Sequence, residues 1–160
     1  MVTASTKTIK DTLDTKTNKE IKELLYQLLK YKKENKELAT YLLFYEQEET
    51  EFVADAKAVI TEQFEEVNTK TVFYAKKGLR KMIRLASKFS KYSSDKTTTI
   101  ELGLHIAGHL STLPKQLKSS LLIRNMYIAN LKKINATLEL LHADIQFDYK
   151  KQIQNLAISL

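Results

Sequence analysis

His105 and His109 are spaced i, i+4, so a helix carries both imidazoles on one face, with Glu101 one turn earlier. Two imidazoles and a carboxylate are donor types that hold zinc or iron. A zinc protease needs H-E-x-x-H, however, and the glutamate of that motif is missing here. Glu139 and His142 make an E-x-x-H pair, the spacing of di-iron carboxylate bundles. Those bundles need two such pairs plus two inward glutamates, and the chain has one pair. Helices rich in Glu and Lys produce such spacings by chance. The histidines are therefore read as polar side chains at helix surfaces or packed edges, and no metal or cofactor is expected.

Other catalytic signatures are missing. The chain has no cysteine, which excludes thiol catalysis, disulfides and thiolate metal sites. Three glycines cannot build a P-loop, and neither the G-x-S-x-G nor the Rossmann pattern occurs. The expectation is a protein that is not an enzyme.

The feature that points outward is charge segregation. Glu46–Glu66 carries eight acids against one base, a net of −7, whereas Val67–Ser94 carries eight bases and no acid, a net of +8. Lys77, Lys81, Arg84, Lys88 and Lys91 step by 4, 3, 4 and 3, which places them in one stripe along a helix. A functional stripe of this kind usually meets nucleic acid phosphates, and Tyr74 and Tyr92 are candidates for base stacking. The competing reading is internal. A hairpin turning near Asn68 sets residue n against 137 − n, which brings Lys88 and Lys91 near Glu49 and Glu46. Such exposed pairs contribute only ~0–1 kcal/mol each, but they quench the outward field.

These residues need elements to position them. Three glycines and one proline in 160 residues cannot supply the turns of a β-rich domain, so helices joined by short polar loops are expected. Residues 1–16 read as a polar N-terminal arm anchored by Ile9 and Leu13, and 17–160 as a single helical domain. Thr17 and Glu20 form a T-x-x-E capping box ahead of Ile21, Leu24, Leu25, Leu28 and Leu29. A second helix is expected near 36–47 with Asn35 as cap, a third from Thr50, and a fourth over 71–92.

Thr97–Ile106 alternates apolar and polar residues, a strand signal taken alone. A lone strand has no backbone partner. The segment is therefore read as a helix capped by Asp95, apolar around most of its girth and central, with Gly103 and Gly108 explained by close approach of a neighbour. Pro114 marks a joint. From Ile123 to Tyr149 the spacing predicts one long helix or two meeting near Asn135, followed by an amphipathic turn with Ile153 and Leu156.

The units 18–47, 50–92 and 96–134 each read as a helical hairpin. Stacked hairpins make an α-solenoid of the HEAT or TPR kind, with an up-and-down bundle as the alternative. No stretch of the chain matches the W-x2-L-G-x2-Y consensus of TPR repeats. No signal peptide and no stretch long enough to span a bilayer is visible, so a cytoplasmic protein without membrane or small-molecule partners is expected. The resulting function is a non-enzymatic scaffold or binding module acting through protein–protein contacts, with nucleic-acid binding through the basic face of the fourth helix as the alternative and a metal-binding helical bundle as a further one. A protein partner stands ahead of nucleic acid, because Tyr31, Tyr41, Phe44, Tyr45 and Phe73 exceed what one buried stripe per helix needs.

Overall fold

The computed structural model describes residues 2–157. Among them all regular structure is helical: α1 (Thr6–Leu13), α2 (Asn18–Tyr31), α3 (Lys33–Thr40), a π-helical turn (Tyr41–Tyr45), α4 (Glu49–Glu65), α5 (Val72–Tyr92), α6 (Lys96–Ser111), α7 (Lys115–Lys118), α8 (Leu121–Leu138) and α9 (Ala143–Ala157). None of these helices is long and apolar enough to cross a membrane. The chain divides into two compact units, Met1–Leu43 and Phe44–Leu160.

In the first unit, local side-chain chemistry starts the helices. Ser5 accepts from the Thr8 amide at the head of α1, a helix within the polar arm. The capping box of α2 is complete. Thr17 Oγ1 accepts from the Glu20 amide at 3.3 Å, and Glu20 accepts from the Thr17 amide at 2.8 Å. That backbone donor is the main reason the Glu20 carboxyl is held down at about 2. Asn35 does not cap the next helix. Its Nδ2 donates to the Leu28 carbonyl at 2.6 Å, tying α3 to α2, and extended Lys32 precedes the first turn instead.

The second unit is organised around α6. Asp95 caps it, accepting from the Thr97 amide at 2.8 Å. Eight of its residues are buried, including Ile100, Leu102, Leu104 and Ile106, because α4, α5, α8 and α9 all pack against it. The alternating pattern thus belongs to a helix covered on nearly every side. Full burial of a leucine such as Leu102 stabilises by roughly 1.5–3 kcal/mol.

The three glycines differ in purpose. A Cβ on Gly103 would lie 2.6 Å from Ile134 Cγ1, and one on Gly78 would lie 2.9 Å from Val67 Cγ2. Both permit close packing, of α8 on α6 and of the α4–α5 connection on α5. A Cβ on Gly108 would meet nothing within 4 Å, so close approach does not explain that residue.

The hairpin of α4 and α5 folds back through Val67–Thr71, with Thr71 capping α5. Phe52 and Phe89 meet edge to face across it at 6.2 Å. Further on, the long apolar run is two helices, and they part at Glu139–His142 rather than near Asn135. Glu139 ends α8 in helical conformation, and Leu140 is left exposed in the turn.

Candidate functional site

Two arrangements in the second unit gather polar chemistry. The first is a layer between α4, α6 and α9. α4 and α6 run in the same direction, so Lys57 meets Glu101 and Thr61 meets His105. Lys57 Nζ lies 2.6 Å from Glu101 Oε2, and the Tyr149 hydroxyl donates to Glu101 Oε1 at 2.8 Å. Burial opposes ionisation of Glu101. The bonds from Lys57 and Tyr149 outweigh it and hold the carboxyl below its ordinary range. Burial, reinforced by the Glu101 bond, raises the Tyr149 phenol.

His105 and His109 do share a face, as their spacing requires. Their Nε2 atoms are 3.1 Å apart, and Thr61 Oγ1 lies 2.9 Å from one and 3.1 Å from the other. His105 Nε2 is also 3.1 Å from the Lys57 carbonyl oxygen, an acceptor only, so this nitrogen carries a proton. Phe64 stacks on the His109 ring at 4.4 Å. Burial lowers both imidazoles; at His105 the neighbouring His109 acts in the same direction, while at His109 Glu65 opposes the shift.

Glu101 is engaged by Lys57 and Tyr149 and does not join the histidines. The E-x-x-H pair is not helical either, because Glu139 and His142 lie in the turn between α8 and α9. There the exposed His142 sits 3.3 Å from Asp144. Among the described residues no group of three His, Cys, Asp or Glu side chains is placed to hold a metal ion. The layer is a fastening between helices.

The second arrangement is an open groove of about 980 Å³ between α5 and α8, with α6 at its base. Leu102, Gly103 and Ile106 form the floor. The α5 wall carries Ile83, Ala86, Ser87 and Ser90, and the α8 wall carries Leu122, Asn125, Met126 and Ala129. Arg80, Arg84 and Lys133 also line it, and among the described residues no acid does. Burial and the nearby charge of Lys91 lower the Lys133 ammonium.

The basic stripe is divided by this geometry. Lys77 is exposed on α5 outside the groove, Arg84 belongs to the groove, and Lys91 is exposed and close enough to Lys133 to act on it. Lys88 holds its ammonium 5.3 Å from the Phe89 ring centre. Lys81 meets Glu66 at 3.7 Å, both side chains about 70% exposed, so the pair screens little. Tyr74 and Tyr92 lie at opposite ends of α5, about 27 Å apart along its axis. They do not form one stacking platform. Exposed Phe73 packs edge to face on exposed Tyr74 at 5.5 Å, an aromatic pair on the surface.

Arg80 and Lys133 complete the cationic rim, and neither belongs to the stripe that the sequence displays. Arg80 is i−4 to Arg84 and legible as its neighbour. Lys133 comes from another helix, and nothing local marks it. No protein-family model, no curated protein and no solved structure matches the chain.

Proposed function

We propose that this chain is a non-enzymatic binding module that acts through protein–protein contacts, with the α5–α8 groove as its seat. One observation carries the reading: an open, largely apolar groove rimmed by three cations and, among the described residues, lined by no acid. Concave, mostly apolar sites with a few polar groups are where proteins take ligands. Exposed Phe73 and Tyr74 add the residue types enriched at interfaces. The proposed setting is the cytoplasm, in keeping with a chain free of cysteine.

The proposed architecture is a stack of hairpins, an α-solenoid, in preference to an up-and-down bundle. Its support is the parallel register of α4 against α6 and the residues leading into it, one hairpin laid beside the next. Glu49 meets Ser93, Lys57 meets Glu101 and Thr61 meets His105, each 44 residues apart.

A photoreactive residue in place of Asn125 tests the seat, with one in place of Lys115 outside the groove as control. Protein crosslinks from position 125 alone, lost when Ala129→Trp fills the groove, are the expected result. Equal crosslinking from both positions overturns the reading.

The second reading is phosphate binding along the stripe, favoured by the exposure of Lys81 and Lys91 on the same helix as Arg84. It predicts that single- or double-stranded oligonucleotides bind at about 50 mM salt, and that Lys81→Glu with Arg84→Glu abolishes the signal. Absence of binding at that salt removes it.

A further inference from the structure

The groove has features that specify its occupant, and the choice of occupant rests on the groove's role as a binding seat. Arg80 to Ser90 of α5 spans about 15 Å, which matches two to three turns of a helix. Ala86, Ser87 and Ser90 on one wall and Ala129 on the other are small, so another helix can approach closely. Ile83 on α5, and Leu122 and Met126 one turn apart on α8, offer the aliphatic contacts that the anchors of an amphipathic helix use. Leu121 stands at the margin, an apolar side chain 72% exposed.

Charge decides which kind of helix. Arg80 and Arg84 stand on one wall and Lys133 on the other, with Lys91 near Lys133 and no acid among the described residues of the lining. Bidentate arginine pairing favours carboxylates or phosphates. Phosphates of a single-stranded nucleic acid need aromatic platforms for their bases, and no aromatic side chain among the described residues lines the groove.

We infer that the α5–α8 groove takes an amphipathic helix of a partner protein, with an aliphatic stripe on Ile83, Leu122 and Met126 and carboxylates against Arg80, Arg84 and Lys133. Complementary charge flanking an apolar core fixes register and speeds encounter.

The test uses the full chain and three labelled probes. One is a synthetic amphipathic helix of about 15 residues with leucines at i, i+4 and i+7 flanked by glutamates. The second is the same peptide with every glutamate replaced by glutamine, and the third is an oligothymidylate. Anisotropy measures affinity, and amide chemical shifts locate the contact. The expected result is that the glutamate peptide binds at least about tenfold tighter than the glutamine peptide. Its shifts should be confined to α5, α6 and α8. Arg80→Gln with Arg84→Gln should erase that difference, and Lys133→Gln should reduce it.

Equal binding of both peptides in the groove overturns the acidic occupant and leaves the groove standing as a seat. Absence of peptide binding, or shifts mapping elsewhere, overturns both. Tighter binding of the oligothymidylate within the groove overturns the helix as occupant.

Discussion

Asn130 Nδ2 donates to the carbonyl oxygen of Gly103 at 2.8 Å, a buried bond between α8 and α6 where the two helices pack closely. The same contact puts Ile134 where a side chain at 103 would have to stand. Gly103→Ala should destabilise by about 1–3 kcal/mol through overpacking. Gly108→Ala should do the opposite, stabilising by about 0.5–1 kcal/mol, because its Cβ meets open space in a helix. Urea denaturation of the two variants checks both signs together.

The paired imidazoles predict an acid-sensitive fastening. The two Nε2 atoms are 3.1 Å apart, so charging both imidazoles sets like charges side by side. The charged and titratable groups around them are Lys57 and Glu65 from α4, Glu101 from α6, and Tyr149 from α9 beyond Glu101. Both histidines titrate below their unfolded value, so above about pH 6.5 they are neutral in both states and cost nothing. As pH falls below that value the unfolded chain takes up protons first, and stability declines until the folded values are passed. The urea midpoint should fall from pH 7 to pH 5, and His105→Gln with His109→Gln should flatten that slope. An unchanged slope in the double variant counts against the fastening.

Glu101 joins three helices through Lys57 and Tyr149. Glu101→Gln should cost about 1–2 kcal/mol, a range for charged hydrogen bonds reduced because the side chains are about a third exposed. In a cycle with Tyr149→Phe the two losses should be less than additive, by about 0.5 kcal/mol or more. The Tyr149 phenol should also titrate closer to its ordinary value once the carboxylate is gone, which ultraviolet absorbance follows.

Thr98 is fully buried and donates its hydroxyl to Glu49, which also accepts from Ser93 at 2.6 Å. Thr98→Val keeps the shape and removes the donor. It should cost about 1–2 kcal/mol, more than Ser93→Ala at the partly exposed end of the same cluster, as read by thermal or urea unfolding.

Much of the helical content was legible because its signals are local. The capping box at Thr17 and the cap at Asp95 act within three residues, and each appears where the sequence puts it. The turn at Glu139–His142 was not legible, since neither glycine nor proline marks it and apolar spacing runs through it. Asn35 resembled a cap, yet it satisfies a carbonyl seven residues earlier. The groove was half legible. Arg84 stood in a visible stripe, whereas Lys133 is brought to it from another helix by packing on α6. Burial of α6 on nearly every side follows from its composition, but which helices cover it depends on contacts tens of residues away.

The contacts between α4 and α6 carry a kinetic consequence. Lys57 waits for Glu101, and Thr61 for His105, so each bond closes a loop of 44 residues. Closing longer loops adds little free energy, since the cost grows only with the logarithm of length. Time is another matter. On a ribosome adding about 5–20 residues per second, the apolar face of α4 emerges seconds before α6 can cover it. Until then its nearest cover is α5, the basic helix made directly after it. The segregation of acids and bases into consecutive helices gives the nascent hairpin an attractive pairing during that interval, before the central helix exists.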